Sequence, residues 1–249
     1  MTVIKVVTHE THRSENNSVC RLARSTRRNA RRVLRETFKI LEVSVMIFNT
    51  FEIVKNTSID LSKINMGDQY CGLFRCPLDE AESVMPDFKC LFDSAPVNDK
   101  SEWELDLKIH MLMNDQFPCL PNWHCDNVPR FDGVTDYSKC DLENPKMLLW
   151  VSGAPYTEFL KYRESFNHPL SHADLAESIR NSKVETVKIK GQCWVSMDQL
   201  TPHRGTISNE PTWRVFARLT HKSIAPVRPV NNVIRRHCQV YLNPESFSW

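Results

Sequence analysis

WELDLKIHMLM, residues 103–113, alternates strictly: Trp103, Leu105, Leu107, Ile109 and Met111 fall on one side, and Glu104, Asp106, Lys108 and His110 on the other. A period of two places successive side chains on opposite faces of an extended backbone, so the run predicts a half-buried strand with its polar face, His110 included, toward solvent. Outward from it, MLLWV (147–151), VETVKIK (184–190), QCWVSM (192–197), WRVFARLT (213–220) and residues 237–242 are further strand candidates. Residues 155–166, where Tyr156, Phe159, Leu160 and Tyr162 cluster, and residues 171–180, opening with Ser171, are read as helices. Many short strands, with prolines at 77, 86, 96, 118, 121 and 129 between segments, predict a closed or double-sheet β architecture rather than an alternating βαβ sheet. No GxGxxG or GxxxxGK[ST] loop is present, which removes most of the weight from nucleotide-fold enzymes.

Composition is that of an ordinary globular protein: 249 residues, 41% apolar and 25% charged. No apolar run reaches the roughly 18 residues needed to cross a bilayer, and the opening MTVIKVVTHETHRS lacks the apolar core of a signal peptide, so the expected location is intracellular and cytoplasmic. The nine cysteines form no CxxC pair, and the Cys71/Cys76 spacing without a second pair is a weak metal signal. Reduced, mostly buried thiols are expected.

Charge is unevenly spread. Residues 1–45 carry ten Lys/Arg against four Asp/Glu, a net of +6, whereas residues 46–210 carry sixteen against twenty-five, a net of −9. Seven arginines lie between Cys20 and Leu41, interleaved with Ala30, Val33, Leu34, Phe38 and Leu41 at helical spacing, which predicts a basic amphipathic helix. It reads either as an arm for nucleic acid, as a solvated extension, or as a segment preceding a natural start at Met46. The expected organisation is thus a basic extension over 1–45 and one domain over 46–249.

Three pieces carry chemistry: PNWHCDNVPR (121–130), TPHRGT (201–206) and WRVFARLT (213–220). On an extended chain His124 and Asp126 point the same way, while Trp123 and Cys125 face oppositely. With His203 from a distant strand they make a facial set of two histidines and one carboxylate, leaving open positions on an octahedral metal. Arg214, Phe216, Arg218 and Thr220 share one face of the third piece, and an arginine fork suits a buried carboxylate. Trp123 and Trp194 are candidates for packing around the site.

The combination of HxD, a distant histidine and following arginines resembles the Fe(II)/2-oxoglutarate-dependent dioxygenases. NWHCD is similar to the motif of taurine-dioxygenase-type members, and HRG to the distal-histidine motif of phytanoyl-CoA-hydroxylase-like ones; the likeness covers about residues 100–222. It implies a mainly β (α+β) fold, a double-stranded β-helix of jelly-roll, cupin-like type with flanking helices. It also implies Fe(II) on His124, Asp126 and His203, with 2-oxoglutarate held by Arg214 at its C5 carboxylate and by Arg218 as an auxiliary contact. The implied reaction is hydroxylation with release of succinate and CO2. Two rivals stand beside it: a cupin-type metal enzyme that does not use 2-oxoglutarate, and a non-enzymatic β-sandwich. The acidic body favours a small-molecule substrate, and nucleic acid stays open through the Arg-rich segment; no membrane partner is expected.

Overall fold

The computed structural model describes residues 44–69, 72–143, 146–225, 234–237 and 240–241. The chain divides into two compact units, Met1–Met46 and Ile47–Trp249, and nearly all the described residues belong to the second. The basic helix expected over 20–41 lies outside the described residues.

Fourteen strands occur among the described residues: β1 (Val45–Phe48), β2 (Glu52–Asn56), β3 (Gly72–Pro77), β4 (Trp103–Leu112), β5 (Arg130–Phe131), β6 (Val134–Thr135) and β7 (Met147–Val151), then β8 (Thr157–Leu160), β9 (Glu164–Asn167), β10 (Thr186–Ile189), β11 (Cys193–Met197), β12 (His203–Gly205), β13 (Thr212–His221) and β14 (Ile234–His237). The protein is mainly β, and the strand pairs of its two larger sheets are antiparallel. A major sheet runs in the order β14-β3-β4-β13-β7-β11-β2, and a minor sheet runs β10-β8-β12.

Two apolar layers fix the architecture. Between the sheets, Met147, Leu149 and Val151 of β7 and Cys193, Val195 and Met197 of β11 pack with Phe159 of β8 and Ile189 of β10. On the other side of the major sheet, Leu105, Leu107 and Ile109 of β4 and Val215, Ala217 and Leu219 of β13 meet Ala81, Phe88, Leu91 and Phe92, which come from the short helices Ala81–Val84 and Lys89–Ser94 and the turn joining them. Strands covered on both faces lose the polar outer face that a half-buried strand keeps.

β4 shows the consequence. Its alternation is real, but the face carrying Asp106, Lys108 and His110 looks into the protein, and His110 is only 2% exposed. The expectation of a solvent-facing His110 is therefore corrected. Burial, with the charges of Arg214 and Lys108, lowers its pKa to about 3, so the imidazole is neutral.

The strands over 147–151, 184–190, 192–197 and 213–220 are found as β7, β10, β11 and β13, and the helix read over 171–180 is found as His172–Asn181, capped by the Ser171 hydroxyl on the Asp174 N–H. Residues 155–166 form no helix. Thr157–Leu160 is wholly buried as β8, the central strand of the minor sheet, and Glu164 opens β9. Phe159 answers to inter-sheet packing rather than to a helical stripe, meeting Phe51 at 4.9 Å between ring centroids, while Tyr162 is exposed. Of the strand read over 237–242, His237 ends β14 (Ile234–His237) and Tyr241 makes an isolated bridge to Phe117, while 238, 239 and 242 lie outside the described residues.

Candidate metal centre

His124 and His203 are brought together by backbone before side chains are considered. Each donates its N–H to the other's carbonyl, at 3.1 and 2.9 Å, forming an isolated antiparallel bridge. This bridge sits at the end of β12, which is itself held in the minor sheet by the register His203↔Phe159, Arg204↔Glu158 and Gly205↔Thr157. The middle pair is also a side-chain pair: Arg204 Nε donates to Glu158 Oε2 at 2.7 Å, and Thr186 supplies the buried carboxylate with a second hydrogen bond at 2.8 Å. The Arg204 guanidinium then lies 4.9 Å from the Trp123 ring centroid. Trp123, 3% exposed, thus faces away from His124 as the alternation requires and braces its segment against β12. Trp194 belongs instead to the core on the far side of the major sheet, where its indole N–H donates to Ser94 Oγ.

Gly205 makes close approach possible. A Cβ there would meet Cys119 Sγ at 2.7 Å and Pro118 Cγ at 3.3 Å. Only a residue without a side chain lets β12 lie this near the 118–119 turn.

The side chains converge as the spacing predicts. Asp126 Oδ2 is 3.4 Å from His203 Nε2, Asp126 Oδ1 is 4.0 Å from His124 Nε2, and the ligating atoms of all three residues lie within 4.8 Å of one another. Nδ1 of His124 is 2.9 Å from the Asn122 carbonyl and Nδ1 of His203 is 3.0 Å from the Thr201 carbonyl. A carbonyl only accepts, so each Nδ1 carries a proton and each Nε2 is turned to the centre. Burial, with the neighbouring His203, lowers the His124 pKa to about 3, which keeps that ring neutral and ready to ligate.

Asp126 needs the opposite treatment. Burial alone would push its carboxyl up, but the Arg218 guanidinium, together with the two histidines, outweighs this and holds it well below the usual carboxylate range. Arg218 donates to Asp126 Oδ2 through one nitrogen and to Asp106 Oδ2 through another, the latter at 2.5 Å; Asp106 in turn takes a two-point contact from Arg75. Charges therefore alternate from Arg75 through Asp106 and Arg218 to Asp126, and Oδ1 of Asp126 is left for a metal. Neither Arg75 nor Asp106 stands out in the sequence; their signal is the register, since Asp106 pairs with Arg75 on β3 and with Arg218 on β13.

The two arginines of β13 thus part company. Arg218 lines a cavity of about 120 Å³ that reaches His124, Asp126 and His203, together with Lys108, Cys119, Leu120, Leu149, Thr157, Phe216 and Tyr241. Arg214, 1% exposed, does not line it; its Nε donates to the Pro155 carbonyl at 2.8 Å and a terminal nitrogen lies 3.5 Å from Thr157 Oγ1. Thr157 is therefore the side chain through which Arg214 borders the cavity. Lys108, which alternation alone puts on a solvent face, is the second cation on the cavity wall, 5.5 Å from the Phe216 ring centroid.

A second, larger cavity of about 500 Å³ reaches two of the three ligands, His124 and Asp126, and is lined besides by Leu120, Cys125, Asn127, Val128, Pro129, Arg130, His172 and Ile224. No protein-family model, curated protein or solved structure matches this chain. Its own geometry supports this much: His124, Asp126 and His203 form a buried group that could hold a metal ion. Among the described residues, no helix is long and apolar enough to cross a membrane.

Proposed function

We propose that this protein is an Fe(II)- and 2-oxoglutarate-dependent oxygenase on a double-stranded β-helix, acting on a small molecule. One observation carries the reading: two imidazole Nε2 atoms and one carboxylate oxygen converge on a point that borders a small, cation-walled cavity, while a larger cavity reaches two of the three ligands, His124 and Asp126. The donor set suits a ferrous ion with open positions. The small cavity suits a dicarboxylate, because it offers the Lys108 ammonium, the Thr157 hydroxyl and Arg218, whose Nε is buried with no hydrogen-bond partner among the described residues.

In this reading His124 and His203 bind through Nε2 and Asp126 through Oδ1, and Arg218 holds the carboxylate's other oxygen so that it cannot swing away. Thr157, backed by Arg214, and Lys108 receive the distal carboxylate of the cosubstrate. When bound, Fe(II) and 2-oxoglutarate would supply the oxidising chemistry with dioxygen as the oxidant, one oxygen atom going to succinate, released with CO2, and the other to the hydroxylated substrate. The protein's part is to orient both molecules and keep bulk water out of a site whose ligands are largely buried. The hydrogen bond from Arg214 to the Pro155 carbonyl favours one rival, a cupin-type metal enzyme without 2-oxoglutarate, in which Arg214 is structural.

Anaerobic titration separates the two. Adding 2-oxoglutarate to the Fe(II)-loaded protein should raise a weak visible charge-transfer band, absent in His124→Ala, and admission of air should release succinate. Iron binding without any 2-oxoglutarate-dependent band would establish the rival.

A further inference from the structure

The larger cavity has a chemistry of its own. Its buried end is made by His124 and Asp126, its walls by the apolar side chains of Leu120, Val128, Pro129 and Ile224, and at its exposed rim stands Arg130. Of the lining residues Arg130 alone carries a fixed positive charge. It is rigidly mounted: β5 and β6 form a hairpin with Arg130↔Thr135 and Phe131↔Val134, turned through Asp132 and Gly133, both at positive φ, and closed below by the Asp136 N–H on the Pro129 carbonyl at 2.8 Å. Its side chain makes only a long contact, 3.4 Å, to the Gly133 carbonyl, and among the described residues no carboxylate pairs with it. The nearby Asp136 carboxylate is occupied by the N–H and hydroxyl of Ser138.

One wall is also polar and fixed. His172 is 7% exposed, and its Nδ1 is held at 2.8 Å by the hydroxyl of Tyr137, itself buried against Phe48.

We infer that the large cavity binds an organic monocarboxylate with a mainly apolar body, its carboxylate paired with Arg130 at the rim and its apolar end directed toward the metal ligands. A single guanidinium matches one planar carboxylate, and the lining offers no second cation of the kind a phosphate would require. The inference rests on the oxygenase reading only for the fate of the bound acid, namely that oxidation falls on a carbon remote from the acid group. The binding itself needs no metal.

The test uses the full chain and three probes with one tail and different heads: hexanoate, hexanol and hexylamine. Calorimetric titrations are run on the metal-free protein and again, anaerobically, on protein loaded with Fe(II) and 2-oxoglutarate. Hexanoate should bind roughly tenfold or more tightly than hexanol, the expected worth of a charge-assisted contact, and hexylamine should bind most weakly. Arg130→Ala should erase the preference for hexanoate, and Arg130→Lys should keep part of it; the exposed position makes a folding defect an unsuitable explanation for either. Equal binding of hexanol and hexanoate, or an unchanged preference in Arg130→Ala, would overturn the inference. A preference seen in protein that gives no charge-transfer band refutes the oxygenase reading alone. A band without the preference refutes the carboxylate site alone.

Discussion

The two faces of β13 are both turned inward and are chemically opposite. Val215, Ala217 and Leu219 lie in a dry layer against the helices, all within 1% of full burial, while Phe216 and Arg218 line the small cavity at the candidate metal site and Arg214 borders it through Thr157. The apolar face is held by shape alone and tolerates any neighbour of the right volume. The polar face is held by pairing, and each buried charge there depends on a specific partner: Arg218 on Asp106 and Asp126, Arg214 on the Pro155 carbonyl. A buried pair adds little net stability, but losing one member strands the other. One strand can therefore anchor the core and present a site at once, provided that the charges on the site face are neutralised before any ligand arrives.

The largest expected effect comes from breaking the polar face. Arg218→Met strands Asp126, leaves Asp106 to Arg75 alone, and should cost about 3–5 kcal/mol in denaturant unfolding together with loss of metal affinity; unfolding free energy within about 1 kcal/mol of the parent protein would show that the alternating charges do not support the site. Leu219→Ala, one position along on the dry face, should cost about 2–5 kcal/mol through a cavity, yet its folded fraction should bind metal as the parent does. A parallel loss of metal affinity would mean that the faces are not separable.

Acid sharpens the same contrast. His110, His124 and His172 have folded pKa values lowered to about 3, 3 and 4 from an ordinary 6.5, so the unfolded chain takes up protons that the folded chain refuses. Their contribution is complete above about pH 6.5 and is lost as pH falls toward those folded values. Asp106 and Asp126, whose folded pKa values lie below 3.8, add a further loss only at more acid pH. Denaturation midpoints of the metal-free protein should therefore already be lower at pH 5 than at pH 7.5; equal midpoints would contradict neutral buried imidazoles.

The smallest effect expected is at the close approach beneath the site. Gly205→Ala sets a Cβ against Cys119 Sγ and should cost about 1–3 kcal/mol as overpacking. Cys119→Ala in the same chain should recover much of it, a coupling that a double-mutant cycle measures.

Much of this site is legible in sequence because strands read in steps of two. His124 and Asp126 share a face, Trp123 opposes them, and Arg218 follows on the strand that the WRVFARLT alternation announces. Alternation does not tell which face of a strand is solvent. In β4 the polar residues at alternate positions face inward, Lys108 onto the small cavity and His110 into buried surroundings, so both read as outside when they are not. Residues 155–166 mislead for a related reason: an aromatic cluster shows burial but not period, and Thr157–Leu160 is buried on every side. The contacts that fix the candidate ligands join residues far apart in the chain: Arg204 meets Glu158 through the register of β12 on β8, and Arg218 meets Asp126 only through the folding of the 124–126 segment onto β13.

The backbone bridge between His124 and His203 bears on how the protein matures. The two halves of this clasp are separated by β5 to β11, so it cannot close until the minor sheet has been assembled and β12 laid beside β8. Long-range pairings of this kind form late, after the entropy of loop closure has been met. A nascent or truncated chain would hold His124 and Asp126 but no third donor. A metal ion bound by all three residues would then be open to chains that have finished folding and closed to those that have not.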